Sequence, residues 1–278
     1  MTWEKILIEI NQLDEDSWEA LAPLLIATDH LLNPTLATAQ NFRRLHFLVF
    51  ELFSRCEGLG ENERFEKLLD FFFVEKSFQF QDVKSLSEWN LSLSEALTQF
   101  SSHPFVGTLL FLHLAHSLQI PLLWIQSKNQ SILKWVRGER CDYVDLLCGG
   151  KKLTDNEVLK ICAGPDSCVE CWTPKDLYKC YLDLITQALE GTSHPKTLLL
   201  AYSLAIQMDD SNTHLLGRRA FLRHRLGYTK EAHADLKRYF SFVEQSRAPF
   251  EIVELYHRVL EGVEQSTEIP GGPGPIYH

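Results

Sequence analysis

Residues 104–150 restrict the possible folds most sharply. From 104 to 120 the chain is apolar at most positions, and Ile120-Pro121 ends the run. A proline cannot continue a helix, and it pushes the residue before it toward extended backbone. The run leaves no continuous polar face, so it predicts a helix over 106–118 that is buried on several sides. Past Pro121 the pattern shortens to strand-like stretches at 122–126 and 132–136, with the β-formers Trp124, Ile125, Ile132, Trp135 and Val136. Lys128-Asn129-Gln130-Ser131 supplies the connecting hairpin or the start of the second strand. Residues 137–140 make the next turn, and 141–147 form a third strand that Gly149-Gly150 closes.

On either side the period is helical. Trp3, Ile6, Leu7 and Ile10 share a face, and Asp16-Ser17 offers a cap before a helix over 18–32. Asn33-Pro34 breaks the chain, a Leu- and Phe-rich helix fills 35–55, and Gly58 to Gly60 ends it. Residues 63–76 carry Phe65, Leu68, Leu69, Phe71, Phe72 and Phe73, an aromatic cluster expected in the core. A helix over 85–100 is stopped by His103-Pro104. Downstream, Thr154 caps a helix over 155–162, and helices are predicted at 174–190, 194–208, 213–226, 229–243 and 249–264. The Pro- and Gly-rich tail, 266–278, is expected to be disordered.

Composition excludes several classes. Of 278 residues 45 % are hydrophobic, enough to fill a core. The formal net charge of −10 argues against a nucleic-acid surface, which needs clustered Lys and Arg. Residues 1–100 hold 17 acids against 8 bases, so the acidity is concentrated there. Met1-Thr2-Trp3-Glu4 lacks the basic start and apolar run of a signal peptide. The stretch 104–125 is interrupted by His113, His116, Ser117, Gln119 and Pro121, too broken to span a bilayer. Seven scattered cysteines fit reduced thiols. A cytoplasmic protein with no nucleic-acid and no membrane partner is expected.

A buried helix followed by strands is also how a thiol-enzyme core is laid out. The nucleophile stands at the helix start, a histidine on one strand takes its proton, and a carboxylate on the next holds the histidine tautomer. The run from His103 to Pro121 (HPFVGTLLFLHLAHSLQIP) resembles the signature helix of bacterial transglutaminase-like proteins fused to tetratricopeptide helices, the SirB family. Leu69-Asp70-Phe71-Phe72-Phe73 looks like that family's stretch before the core. Asp145-Leu146-Leu147-Cys148-Gly149-Gly150 is similar to its Asp/Asn-Pro-Phe-Asn-Gly-Gly. Residues 226–239, with small Gly227 and Ala232, resemble a tetratricopeptide turn and second helix, and a weaker copy lies near 177–211. The order holds over roughly residues 60–260. The resemblance implies an α+β fold, mostly α. A helical N-terminal region covers 1–103, a degenerate transglutaminase-like core with a small antiparallel sheet 104–172, tetratricopeptide-like helices 173–265, and a tail 266–278.

Carried over position by position, the nucleophile falls on Val106, where the family usually has Ser and active enzymes of the fold have Cys. The histidine falls on or beside Gln130, and the aspartate is Asp145. Valine cannot attack, and glutamine cannot take a proton near neutral pH. The leading expectation is a pseudoenzyme without cofactor. It would bind an unidentified protein partner through the repeat region and the old cleft, as an adaptor or regulator. A residual hydrolase or acyl transferase is the alternative, with Thr108, Cys141 or Cys148 as nucleophile. A third is a metal-binding module at Cys168 and Cys171, with Cys162 and Cys180 as weaker candidate ligands. Asp145 otherwise reads as a strand-end carboxylate bonding the turn amides at Gly149-Gly150. His113 and His116, three apart, share a helix face and read as core-edge residues before they read as ligands. Arg218, Arg219, Arg223 and Arg225, with His224, form a basic ridge. It is either a solvated face or a docking site for an acidic partner segment or for the acidic N-terminal part of this chain.

Overall fold

The computed structural model describes residues 3–14, 16–81, 86–125, 131–137, 140–161 and 170–267, the last five by backbone alone. It divides into two compact units, Met1–Glu190 and Gly191–His278.

The first unit begins with α1 (Trp3–Gln12), α2 (Trp18–Leu32), α3 (Thr38–Cys56) and α4 (Glu61–Leu69). A wider π-helical turn, Asp70–Glu75, continues α4, with the Lys76 N–H bonding the Phe71 carbonyl at 2.9 Å. β1 (Gln79–Phe80), α5 (Leu93–Gln99) and β2 (Ser101–Ser102) follow, and β1 pairs with β2 in parallel. Next come α6 (Pro104–Ser117), β3 (Leu122–Ile125), β4 (Ile132–Arg137), β5 (Arg140–Asp145), β6 (Lys151–Leu153), α7 (Asp155–Ile161), β7 (Cys171–Trp172) and α8 (Pro174–Leu189). Among the described residues the sheet has five antiparallel strands in the order β6-β5-β4-β3-β7. This is the mostly helical α+β class with a small antiparallel sheet.

Helix α6 is the hub, with every residue from Val106 to Ala115 buried. It packs on α2, α3, α4, α5 and β3. Pro104 stands in its first turn, where a missing N–H costs nothing. Gln119 in the left-handed region (φ 59°) closes it: the Ile120 N–H bonds the Ala115 carbonyl and the Gln119 N–H that of His116, both at 2.9 Å. The aromatic segment is core, as its composition suggests. Phe65 meets Trp135 at 4.4 Å between ring centres, and Phe72 meets Phe111 edge-on at 5.2 Å. The indole N–H of Trp135 donates to Glu61 Oε1 at 2.8 Å, tying the sheet to α4.

The second unit contains α9 (Pro195–Met208), α10 (Thr213–Arg225), α11 (Thr229–Phe242), a short 3₁₀ turn at Gln245–Arg247, and α12 (Phe250–Thr267). Each successive pair of helices is in contact, and α10, α11 and α12 share a core of Ala220, Ala232, Leu236, Leu255 and Val259. Gly217 and Ala220 let helices approach closely: a Cβ on Gly217 would stand 3.0 Å from Ile252 Cδ1. Gly227 (φ 83°) makes the α10–α11 turn. Its N–H bonds the His224 carbonyl, and the Tyr228 N–H bonds that of Arg223. Helix α8, which the sequence groups with these helices, lies in the first unit and packs on α2. The backbone of α12 runs on to Thr267, past the start of the expected tail. The rest of that tail lies outside the described residues.

Candidate functional site

The helix start that would hold a nucleophile is built from hydrocarbon and backbone. Val106, the residue that the resemblance would place at the nucleophile position, is 0 % exposed. Two residues on, Thr108 is equally sealed, and its hydroxyl donates to the Pro104 carbonyl at 2.8 Å. That is an intrahelical bond turned away from any incoming substrate. His103 is the N-cap: its Nδ1 accepts the Phe105 N–H at 3.1 Å. Nδ1 is thereby the acceptor, which leaves Nε2 carrying the proton, buried with no hydrogen-bond partner among the described residues. Burial holds the His103 imidazole below its ordinary pKa, in the neutral form.

Asp145 ends β5, paired with Ile132 on one side and Lys151 on the other. Its Oδ1 accepts the Cys148 N–H at 3.2 Å, and its main-chain carbonyl accepts the Gly150 N–H at 3.0 Å. The carboxylate thus organises the turn through Cys148, while Gly150 is held by the backbone. Gly149 and Gly150 both have positive φ, which the turn requires. Gln130, the histidine position, lies outside the described residues.

The other candidate nucleophiles are thiols. Cys148 is exposed, and its hydrogen bond to Asp145 pushes the thiol pKa up, away from thiolate. Cys141 lies on β5 opposite Val136. Of the cysteine cluster, Cys162 and Cys168 lie outside the described residues. Cys171 is paired with Ile125 on β7 and packs on the Ile125, Ile132 and Val158 cluster. Burial raises its thiol, and burial with Asp183 nearby raises that of Cys180 to about 11. Among the described residues no group of three or more His, Cys, Asp or Glu is gathered as metal ligands.

His113 and His116 sit inside the fold. The His116 ring stacks on Trp18 (4.6 Å, 3° between planes) and its Nε2 contacts the Leu122 carbonyl at 2.7 Å. Burial lowers the His113 pKa to about 4 and also lowers that of His116.

The basic ridge is corrected by the structure. Arg219 is buried and makes a bidentate pair with Asp235, at 3.0 Å from Nε and 2.7 Å from Nη2. Arg223 reaches the same carboxylate at 2.6 Å. Two of the four arginines therefore turn inward, because α11 supplies a buried acid that desolvated guanidinium groups need. Arg218 and Arg225 remain exposed.

One polar cluster was missed. Asp29 on α2 is buried and accepts three hydrogen bonds: from Tyr181 Oη on α8 at 2.6 Å, Ser92 Oγ at 2.9 Å and the Ser94 N–H at 2.8 Å. Burial raises its carboxyl pKa to about 6, and those three bonds oppose the rise. Beside it, Thr28 Oγ1 and Tyr178 Oη are 2.7 Å apart. Asp29 and Ser92 border a ≈ 30 Å³ cavity, room for ordered water. The available signal was Thr28-Asp29 inside the apolar run 20–32, with Tyr178 and Tyr181 three apart on a helix.

A family model described as the transglutaminase-like superfamily matches residues 32–183, more than half of the chain. No curated protein and no solved structure matches it.

Proposed function

This chain belongs to the transglutaminase-like superfamily, and from that premise we propose that it is a non-catalytic member, a protein-binding adaptor or regulator. The reading rests on Val106. Acyl transfer on this architecture needs a lone pair at the start of the central helix, and a base within reach of it. A valine offers neither, and its full burial closes the position to substrate. The neighbouring groups are engaged otherwise. Thr108 bonds its own helix, His103 Nδ1 caps it, and Asp145 holds a turn. Each contact is one that a stable scaffold uses and that a reacting triad would have to surrender.

The binding reading draws on the second unit. The turn at Gly227, the small residues at Gly217, Ala220 and Ala232, and the consecutive packing of α9 to α12 are features of tetratricopeptide-like helix pairs. Stacked pairs of this kind offer grooves to helices and extended segments. Arg218 and Arg225 are the exposed charges on α10 that we assign to such contact.

The catalytic half is tested by incubating the full chain with a glutamine-donor peptide and a fluorescent amine, and separately with p-nitrophenyl acetate. Neither turnover above buffer nor an acyl adduct by intact-mass spectrometry is expected. Turnover lost on Thr108→Ala, Cys141→Ala or Cys148→Ala would overturn the proposal.

A further inference from the structure

Helix α3 is apolar on two opposite sides. Its buried strip is Leu45, Leu48, Leu52 and Cys56. Residues advance about 100° each, so Arg43, Phe47 and Phe50 project from the reverse side with Phe53 along the edge. These three phenylalanines are 63 %, 70 % and 58 % exposed. A helix that packs by one strip is ordinarily polar on the other. Three large aromatic side chains exposed along one helix mark an interaction site.

Beside this strip, bordered by Phe47 but not by Phe50 or Phe53, opens a groove of ≈ 510 Å³. Its walls include Arg43, Arg44, Phe47, Lys76, Leu97 and Phe100, and no Asp or Glu lines it. The cations differ in what they already hold. Lys76 is 2.6 Å from Glu51. Arg44 donates only to neutral groups, Asn41 Oδ1 at 3.1 Å and Thr98 Oγ1 at 2.6 Å. Arg43 is exposed and has no ion pair among the described residues. Among the described residues, two guanidinium charges therefore have no acidic partner at one end of an aromatic strip, on a chain of net charge −10.

We propose that this face of α3 and its groove dock an acidic amphipathic segment of a partner protein. The partner's apolar residues would lie on Phe47, Phe50 and Phe53, and its carboxylates on Arg43 and Arg44. Arginine suits this role because its planar fork binds a carboxylate through two parallel bonds and also stacks on rings. Charge selects among occupants. A second copy of the chain would bring the same guanidinium groups to the contact. An anionic lipid surface calls for cations around the whole apolar face, whereas toward the far end of α3 two acids, Glu51 on α3 and Glu75 on the π-helical turn, pair with Arg55. This surface lies in the first unit, and the proposal stands whether or not the chain catalyses a reaction.

The test is selection from a displayed library of random 16-residue peptides on the full chain, followed by affinity measurements with purified winners. Enriched peptides are expected to combine net negative charge with apolar residues at helical or alternating spacing. Their affinity should fall at least tenfold on Phe50→Ser and on Arg43→Glu, and should weaken as salt rises. Both positions are exposed, and unchanged circular dichroism and Tm would show the variants folded. No enrichment, neutral or basic winners, or winners indifferent to both substitutions overturns the proposal. So does sedimentation of the chain with phosphatidylserine vesicles, or a dimer in ultracentrifugation, if Phe50→Ser abolishes it.

Discussion

Asp29 is a carboxylate placed where ionisation is costly and then supplied with three donors. Its folded pKa, about 6, lies above its ordinary value of 3.8. Between those values the folded state holds a proton that the unfolded chain has released, so stability falls as pH rises from about 4 to about 6. The displacement is about two pKa units, on the order of 3 kcal/mol. Asp29→Asn should therefore remove most of the stability change that chemical denaturation detects between pH 4 and pH 6.5. An unchanged slope would place the titration elsewhere. Tyr181→Phe deletes a bond that stabilises the ionised form, so it should carry the same transition to higher pH. At this scale the chain was only partly legible. That Val106 carries no nucleophilic group can be read from the sequence, since a residue's chemistry travels with its name. The inward turn of Arg219 and Arg223 cannot, because it depends on Asp235 arriving from another helix. Equally hidden was the convergence of Asp29, Ser92 and Tyr181, which are 63 and 152 residues apart from Asp29 along the chain.

Among elements, α6 and the three central strands were predicted within a residue or two at most ends, because a largely apolar run bounded by proline admits few alternatives. The helix predicted over 85–100 is present only as Leu93–Gln99. Side chains compete with it at its start. The Ser87 N–H bonds Asn90 Oδ1 at 3.0 Å, and Ser92 Oγ caps the shorter helix through the Glu95 N–H. Strands of two or three residues, such as β6 and β7, have too short a period to be recognised. Gly107 shows packing reversing a propensity rule. In a free helix Gly→Ala is stabilising, but here the added Cβ would stand 2.5 Å and 2.8 Å from the rings of Phe80 and Phe78. Gly107→Ala should instead destabilise by about 1–3 kcal/mol in urea denaturation. In the second unit, Asp235→Ala strands two guanidinium groups and should cost roughly 3–5 kcal/mol, whereas Arg218→Ala at an exposed position should change stability by less than about 0.5 kcal/mol. Comparable losses for the two would mean that the Arg219–Asp235–Arg223 cluster is not a buried structural pair.

For the whole molecule, the sequence indicated class and order better than boundaries. Helices flanking a short stretch of strands were legible from period, and the α+β class came with the resemblance. The division at Glu190 and Gly191 was not legible, since α8 has the same amphipathic pattern as the helices that follow it. Residues 191–194 are exposed, so brief digestion by a glutamate-specific protease should cut first after Glu190. Mass spectrometry should then find fragments ending at 190 and beginning at 191, and earlier cuts inside α4 or α11, which carry glutamates, would contradict the division. The π-helical turn at Asp70–Glu75 carries a last consequence. A turn of that kind holds one residue more than an α-turn over a similar rise, with no loop to absorb the excess. Threading this chain onto a homologue with an ordinary helix there would shift every downstream residue by one, and a gap placed in the nearest loop would misassign the aromatic core while leaving both helices looking intact.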